Sequence, residues 1–264
     1  IQYMWYIIQQ RCFTQNETRQ HNIRCHSMDL MTLLAIFCLL MVAVAFSPLG
    51  LGGGILYVPI MHYMLDWEIK EAIVASLTLV LMVSLGSSLA HSKSGHAEHK
   101  VAKWGRIAAV PSATIGVLLS GVLLSLVGDV GIKIIAALVI TFVLERTIRK
   151  SVTQDDEYSE EILLEKRNQY LAGSSSAGIA AGILGIGGGA ILVTLNRSML
   201  KMDAKKAAGT SYLVAATIVP VALVSHLVIN QNLDIIVDNS GIAAMILVPL
   251  MVFASAFFGA KYAI

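Results

Sequence analysis

Charged and apolar positions along this chain fall in blocks. No Asp, Glu, Lys or Arg occurs from Leu30 to Leu65, Ala72 to Ser92, Ile107 to Gly128, Asn168 to Asn196, Ala207 to Leu233 or Asn239 to Ala260. About 20 apolar residues cross a hydrocarbon core roughly 30 Å thick, so each block can hold a membrane helix. The pattern predicts spans near 30–47, 72–92, 106–127, 130–144, 169–184, 207–229 and 239–260. Two further apolar pieces, 55–65 and 190–196, are too short to cross alone.

The first and fifth spans each run into a glycine-rich segment, GLGGGILYVP at 50–59 and GIGGGAILVT at 185–194. One helix from Leu30 to Leu65 would be about 54 Å long, so the motif is expected to break that helix or fold it back. Aligned without gaps, Leu49–Ser76 and Leu184–Ser211 share 11 identities in 28 positions, including four glycines, Ala72 with Ala207, and Ser76 with Ser211. A second correspondence sets VPSATIGVLLSG, from Val110, against VPLMVFASAFFG, from Val248, each a proline ahead of a glycine with Gly116 or Ala254 between. Two matches in the same order predict an internal duplication, and with it an eighth span beyond Ile264. The expected division is a polar N-terminal segment, 1–29, a first repeat, 30–145, a charged linker, 146–167, and a second, C-terminally truncated repeat, 168–264.

Composition narrows the class. The chain is 56% hydrophobic and 14% charged, with mean hydropathy +0.72, against roughly 25% charged in soluble domains. The expected fold is all-α and the expected location an integral, multi-pass membrane protein with the lipid bilayer as partner. A net charge of +2 argues against nucleic acid. Cys12, Cys25 and Cys38 have no metal-type spacing and predict no disulfide framework. The polar stretch RCFTQNETRQHNIRCHS, from Arg11 to Ser27, lacks apolar periodicity, which makes Met28 and Met31 candidate starts and excludes residues 1–29 from the fold argument. The run from Met28 to Ser47 imitates a signal peptide, but the glycine motif that follows favours a retained span. The linker is expected to be a solvated helix capped at Thr153 or Ser159.

Charge asymmetry gives two orientations. The loop after the second span carries Lys93, Lys100, Lys103 and Arg106, whereas the equivalent loop at 230–238 has no Lys or Arg. The loop before it carries Arg197, Lys201, Lys205 and Lys206. The positive-inside rule is satisfied by inverted halves, while parallel halves require the bias to mislead.

The glycine motifs are the strongest chemical signal. Four glycines in five positions permit positive φ, and inside a bilayer such a break must be buried in protein or line a watery cavity. Close helix packing through small residues is the plainer reading, but recurrence in both halves favours a transporter site. A helix restarting after the motif presents free amides and the positive end of its dipole, which suits a small anion. The expected substrate-binding residues are Gly52, Gly53, Gly54, Ser76, Thr78, Gly187, Gly188, Gly189, Thr194, Asn196, Thr210 and Ser211. Lys133 is expected to snorkel to the interface. No Asp or Glu lies mid-span, which weakens a carboxylate proton relay, and His62 and His226 read as satisfied interfacial histidines. His91, His96 and His99 read as part of a solvated loop. No cofactor, metal or catalytic residue is expected.

Together the two glycine motifs, KKAAGTS from Lys205 and the proline-to-glycine helix from Val110 resemble the sulfite exporter TauE/SafE family of membrane permeases, over roughly Leu30 to Ile264. Thr194 departs from the proline common in the family. The resemblance implies two repeated halves, about eight spans and export of sulfite or a related organosulfur anion. A non-transporting membrane scaffold is the alternative. An intramembrane hydrolase using Ser211 and His226 lacks further triad members.

Overall fold

The computed structural model describes residues 30–151, 158–230 and 242–263, which are helical almost throughout, with no strand among them. Helix α1 (Leu30–Phe46) leads to the first glycine segment, followed by α2 (Gly54–Met64), α3 (Ile69–Lys93) and α4 (His99–Ser151). A short α5 (Glu160–Glu165) precedes α6 (Arg167–Leu184), the second glycine segment, α7 (Gly189–Ser198), α8 (Ala204–Asn230) and α9 (Ile242–Ala263). Among the described residues, the helices long and apolar enough to cross a membrane are Ile69–Lys93, His99–Gly128, Ala204–Ile229 and Ala244–Ala263, while α1 is apolar but shorter.

The expected spans at 106–127 and 130–144 both fall in α4, which breaks at Gly128, where φ is 62° and ψ is −171°. Only glycine takes that conformation without strain. Residues 1–29, the expected cap at Thr153, most of loop 230–238 and the expected start at Asn239 lie outside the described residues. Ser159 precedes α5 in an extended conformation and makes no side-chain cap bond. The end of the linker is docked: Leu163 is buried with Val101, Tyr170, Leu200 and Met202, and Lys100 pairs with Glu160 at 2.6 Å. An apolar pair, Ile162 and Leu163, within an otherwise charged stretch accounts for the docking.

At the centre α3 packs on α8, α4 packs on α8 and α6, and α9 packs on α3 and α1. The central pair is antiparallel. Early in α3, Ser76 reaches the second glycine segment, and late in α3, His91 reaches Ser47 near the first. Helix α8 runs the other way, from Ser211 at Gly50 to His226 at Gly182. Small residues allow these helices to approach closely. Gly178 lies on the Ala109 carbonyl, and a Cβ added at Gly182 would fall 2.7 Å from the Val117 amide. Across the molecule, a Cβ at Gly86 would fall 2.7 Å from the Phe253 carbonyl and one at Gly259 2.6 Å from Ser47 Oγ. Large apolar side chains such as Phe37, Leu118, Leu126, Val228 and Leu250 remain exposed around the outside, as a lipid-facing surface requires.

The antiparallel arrangement also brings the basic loops together. Thr210, at the start of α8, accepts a hydrogen bond from the Glu98 amide at 3.0 Å, and Gly209 lies against the His96 carbonyl. Lys93, Lys100, Lys103 and Arg106 therefore share one end of the bundle with Lys201, Lys205 and Lys206. Lys133, in the second part of α4, lies over the Tyr63 ring, 5.4 Å from its centroid.

The glycine contacts make a stability prediction. Gly182→Val, forced against the α4 backbone, is expected to cost about 2 kcal/mol or more, as overpacking does. Gly121 has nothing within 4 Å, so Gly121→Ala should be neutral or gain up to about 1 kcal/mol of helix propensity. Thermal unfolding in detergent reads both, and equal shifts would mean that α4–α6 contact is not what Gly182 serves.

Candidate functional site

The two glycine segments have the same backbone. Gly50, Gly52 and Gly53 have φ of 78°, 75° and 75°, and their counterparts Gly185, Gly187 and Gly188 have 69°, 73° and 69°. These left-handed values let each chain end one helix and start another within a few residues. Helix α7 then runs back along α6: the Tyr170 hydroxyl donates to Asn196 Oδ1 at 3.1 Å, while Gly188, at the other end, faces the Ala177 carbonyl.

The segments also cross each other. A Cβ at Gly54 would fall 2.6 Å from Ile186 Cα, and one at Gly189 2.8 Å from the Gly50 carbonyl oxygen and 3.5 Å from Leu51. Side chains fasten the crossing in matched pairs. Ser76 Oγ donates to the Gly185 carbonyl at 3.0 Å, and Ser211 Oγ approaches the Gly50 carbonyl at 3.2 Å. His91 Nε2 lies 3.3 Å from the Ser47 carbonyl, and His226 Nε2 lies 2.7 Å from that of Gly182. Adding 135 to both residue numbers turns the first histidine contact into the second, whereas in the serine pair 135 is added to the serine and subtracted from its carbonyl partner. The serines reach across to the other half, whereas the histidines stay within their own. All four side chains address carbonyls at or beside a helix end, where backbone acceptors lack helical partners.

The crossing places the first turns of α2 and α7 together. Each contributes amides without intrahelical partners and the positive end of a dipole, worth roughly half an elementary charge. None of the residues named at the crossing carries a formal charge. The arrangement can stabilise an anion through backbone and hydroxyl donors.

The other expected site residues divide clearly. Gly52, Gly53, Gly54, Gly187, Gly188 and Gly189 form the crossing, together with buried Ser76 and Ser211. Thr78 and Thr194 return their hydroxyls to carbonyls of their own helices, Val74 at 3.2 Å and Ala190 at 2.9 Å. Asn196 is committed to Tyr170 and to the Ala207 carbonyl, and Thr210 to Glu98. His62 Nδ1 lies 2.7 Å from the Trp67 carbonyl. His226 is satisfied, as expected, and deeply buried. His91 corrects the solvated-loop reading, because α3 continues to Lys93 and buries it completely. Among the described residues, no group of three or more His, Cys, Asp and Glu could hold a metal ion.

Tyr212 and Tyr57 are absent from the expected set. The Tyr212 hydroxyl donates to the Phe46 carbonyl at 2.8 Å and accepts from the Gly52 amide at 3.4 Å, so it ties α8 to the end of α1 and the first break. Tyr57 is fully buried over Gly53. The sequence signal for His91 was available: the same ungapped register, carried past Ser76 and Ser211, sets His91 against His226. An apolar outward groove of about 580 Å³ between α1 and α9, lined by Val44, Pro48, Ala254 and Phe258, lies away from this polar chemistry.

Losing the serine latches should be measurable. Ser76→Ala strands the buried Gly185 carbonyl and is expected to cost about 1 kcal/mol or more. Ser211 shares its single proton with the Ala208 carbonyl at 2.7 Å, so Ser211→Ala should cost less. Thermal or denaturant unfolding in detergent tests the order, and no loss in either variant would remove the serines as fasteners.

A family model described as Sulfite exporter TauE/SafE matches residues 34–264. No curated protein and no solved structure matches the chain. The match covers nearly all the described helices and both glycine segments, and the long apolar helices fit a membrane transporter. The chain belongs to the TauE/SafE sulfite exporter family of integral membrane proteins.

Proposed function

We propose that this chain exports a small sulfur oxyanion, sulfite or a close organosulfur relative, by alternating access around the crossed glycine breaks. The observation that carries the reading is the meeting of two helix N-termini, those of α2 and α7, at a buried crossing without charged side chains. Backbone donors there hold an anion without a cation that would retain it, and Ser76 and Ser211 keep the two breaks in register. Asn196 and Thr210 brace the flanking helices, while Thr78 and Thr194 stand one layer out.

The contacts related by a shift of 135 residues, with α3 and α8 antiparallel, support two inverted repeats. Inversion also explains why the basic loop follows α3 in one half but precedes α8 in the other: both lie at one end. By the positive-inside rule that end is cytoplasmic. A univalent anion leaving a negative-inside cell gains roughly 2.3 kcal/mol per 100 mV, so the membrane potential can drive export without a coupling carboxylate.

Counterflow in proteoliposomes tests this reading with sulfite, sulfate, thiosulfate and sulfonates. Saturable exchange of at least one is expected. Gly53→Val and Gly188→Val, which force side chains into left-handed positions at φ 75° and 69°, should reduce flux about tenfold or more, equal to ~1.4 kcal/mol of barrier, in protein that still inserts. Undiminished flux in both variants would reject the site. A full-length protein that inserts but exchanges none of the anions would favour a scaffold.

A further inference from the structure

The two breaks match in backbone but not in surroundings. Beside the first lie Tyr57 and Tyr212, with Ser87 next to Tyr212 and the His91 ring 5.9 Å from the Tyr212 ring. A shift of 135 residues turns Tyr57 into Leu192, Ser87 into Ala222 and His91 into His226, and the counterpart of Tyr212 is Leu77. Leu77, Leu192 and Ala222 are fully buried. At these three positions the second half carries hydrocarbon where the first carries hydroxyls, and Ile73 and Val219 lie against the glycines of the second break.

Buried hydroxyls at the first break are left without hydrogen-bond partners, that of Ser87 and, on the break itself, that of Tyr57. Tyr57 is 0% exposed, and its Oη has no hydrogen-bond partner. The phenol lies directly on the break, since a Cβ at Gly53 would fall 2.8 Å from Oη and 2.7 Å from Cζ. A buried hydroxyl without a partner is unfavourable and calls for an occupant. The nearby first-turn amides of α2 are donors too, and the dipole there is positive. Donors converging under a positive potential select a ligand rich in acceptors.

We propose that the substrate seat is single and one-sided: an oxyanion docks at the first glycine break, receives a hydrogen bond from the Tyr57 hydroxyl, and finds no equivalent seat at the second break. This rests on the transport reading above and refines it. The second break keeps the same fold for packing, with Leu192 and Leu77 excluding the ligand. The polar wall also lies toward the basic end, since His91 and Tyr212 sit at the ends of α3 and α8 nearest the Lys-rich loops. Anion is thus loaded from the end where lysine and arginine concentrate it.

Binding of radiolabelled sulfite to the full chain in proteoliposomes and detergent tests the assignment. Wild-type protein should bind one sulfite per chain. Tyr57→Phe removes a single oxygen and should raise Kd about tenfold, as loss of a hydrogen bond to a charged ligand does, with Ser87→Ala acting in the same direction. Leu192→Met should leave Kd unchanged. Tyr170→Phe removes a buried phenol already bonded to Asn196, and should lower thermal stability without altering Kd. Wild-type affinity in both Tyr57→Phe and Ser87→Ala, or two equivalent sites per chain, would overturn the one-sided seat while leaving transport standing. No saturable binding by wild-type protein, together with no counterflow, would remove both.

Discussion

A bilayer offers no water to a broken helix, so each freed carbonyl and amide must find a partner within the protein. That constraint organises this structure. Two segments of the chain interrupt their helices at glycine, and the crossing of the interruptions supplies much of what each lacks. The carbonyl of Gly185 is met by Ser76 from the other half, and the carbonyl of Gly50 by Ser211. The ends of the preceding helices are met by His91 and His226. Neither break is self-sufficient, which gives the reciprocal pairing its structural purpose.

The same constraint explains the glycines. Positive φ is needed at three positions of each motif, but Gly54 and Gly189 serve a different end: they let one backbone lie against the other. A side chain at either position would separate the breaks and strand the serines. Tight crossing and accessible amides therefore follow from one choice of residue, since the lack of side chains that permits contact also exposes backbone donors.

Much of the helical layout was legible because the bilayer imposes a simple rule on charge. The charge-free blocks predicted α1, α3, α6 and α8 closely, and the four-glycine motif predicted the breaks themselves. Legibility failed where a local reading competed with a distant contact. His91 stands in HSKSGHAEHK, polar enough to suggest a solvated loop, yet α8 covers it from more than a hundred residues away. Thr78 and Thr194 stood near the motifs in sequence, but a helical hydroxyl readily returns to the carbonyl four residues back. Tyr212 and Tyr57 were hidden for the opposite reason. Aromatic residues in apolar runs look like core, and only the three-dimensional crossing shows their hydroxyls at a polar break.

The likeness of the two breaks in backbone and their difference in side chains have different origins. Backbone geometry is conserved between the halves because each break depends on the other: loosening one would unsatisfy both. Tyr57 and Ser87 carry no such mutual obligation. In the 135-residue register Tyr57 corresponds to Leu192 and Ser87 to Ala222, and neither exchange disturbs a carbonyl on which the opposite half relies. Two breaks of like backbone can thus differ in the polar side chains beside them. His91 and His226 mark the boundary of that freedom: each addresses a carbonyl at a helix end, and the His91 ring lies 5.9 Å from that of Tyr212.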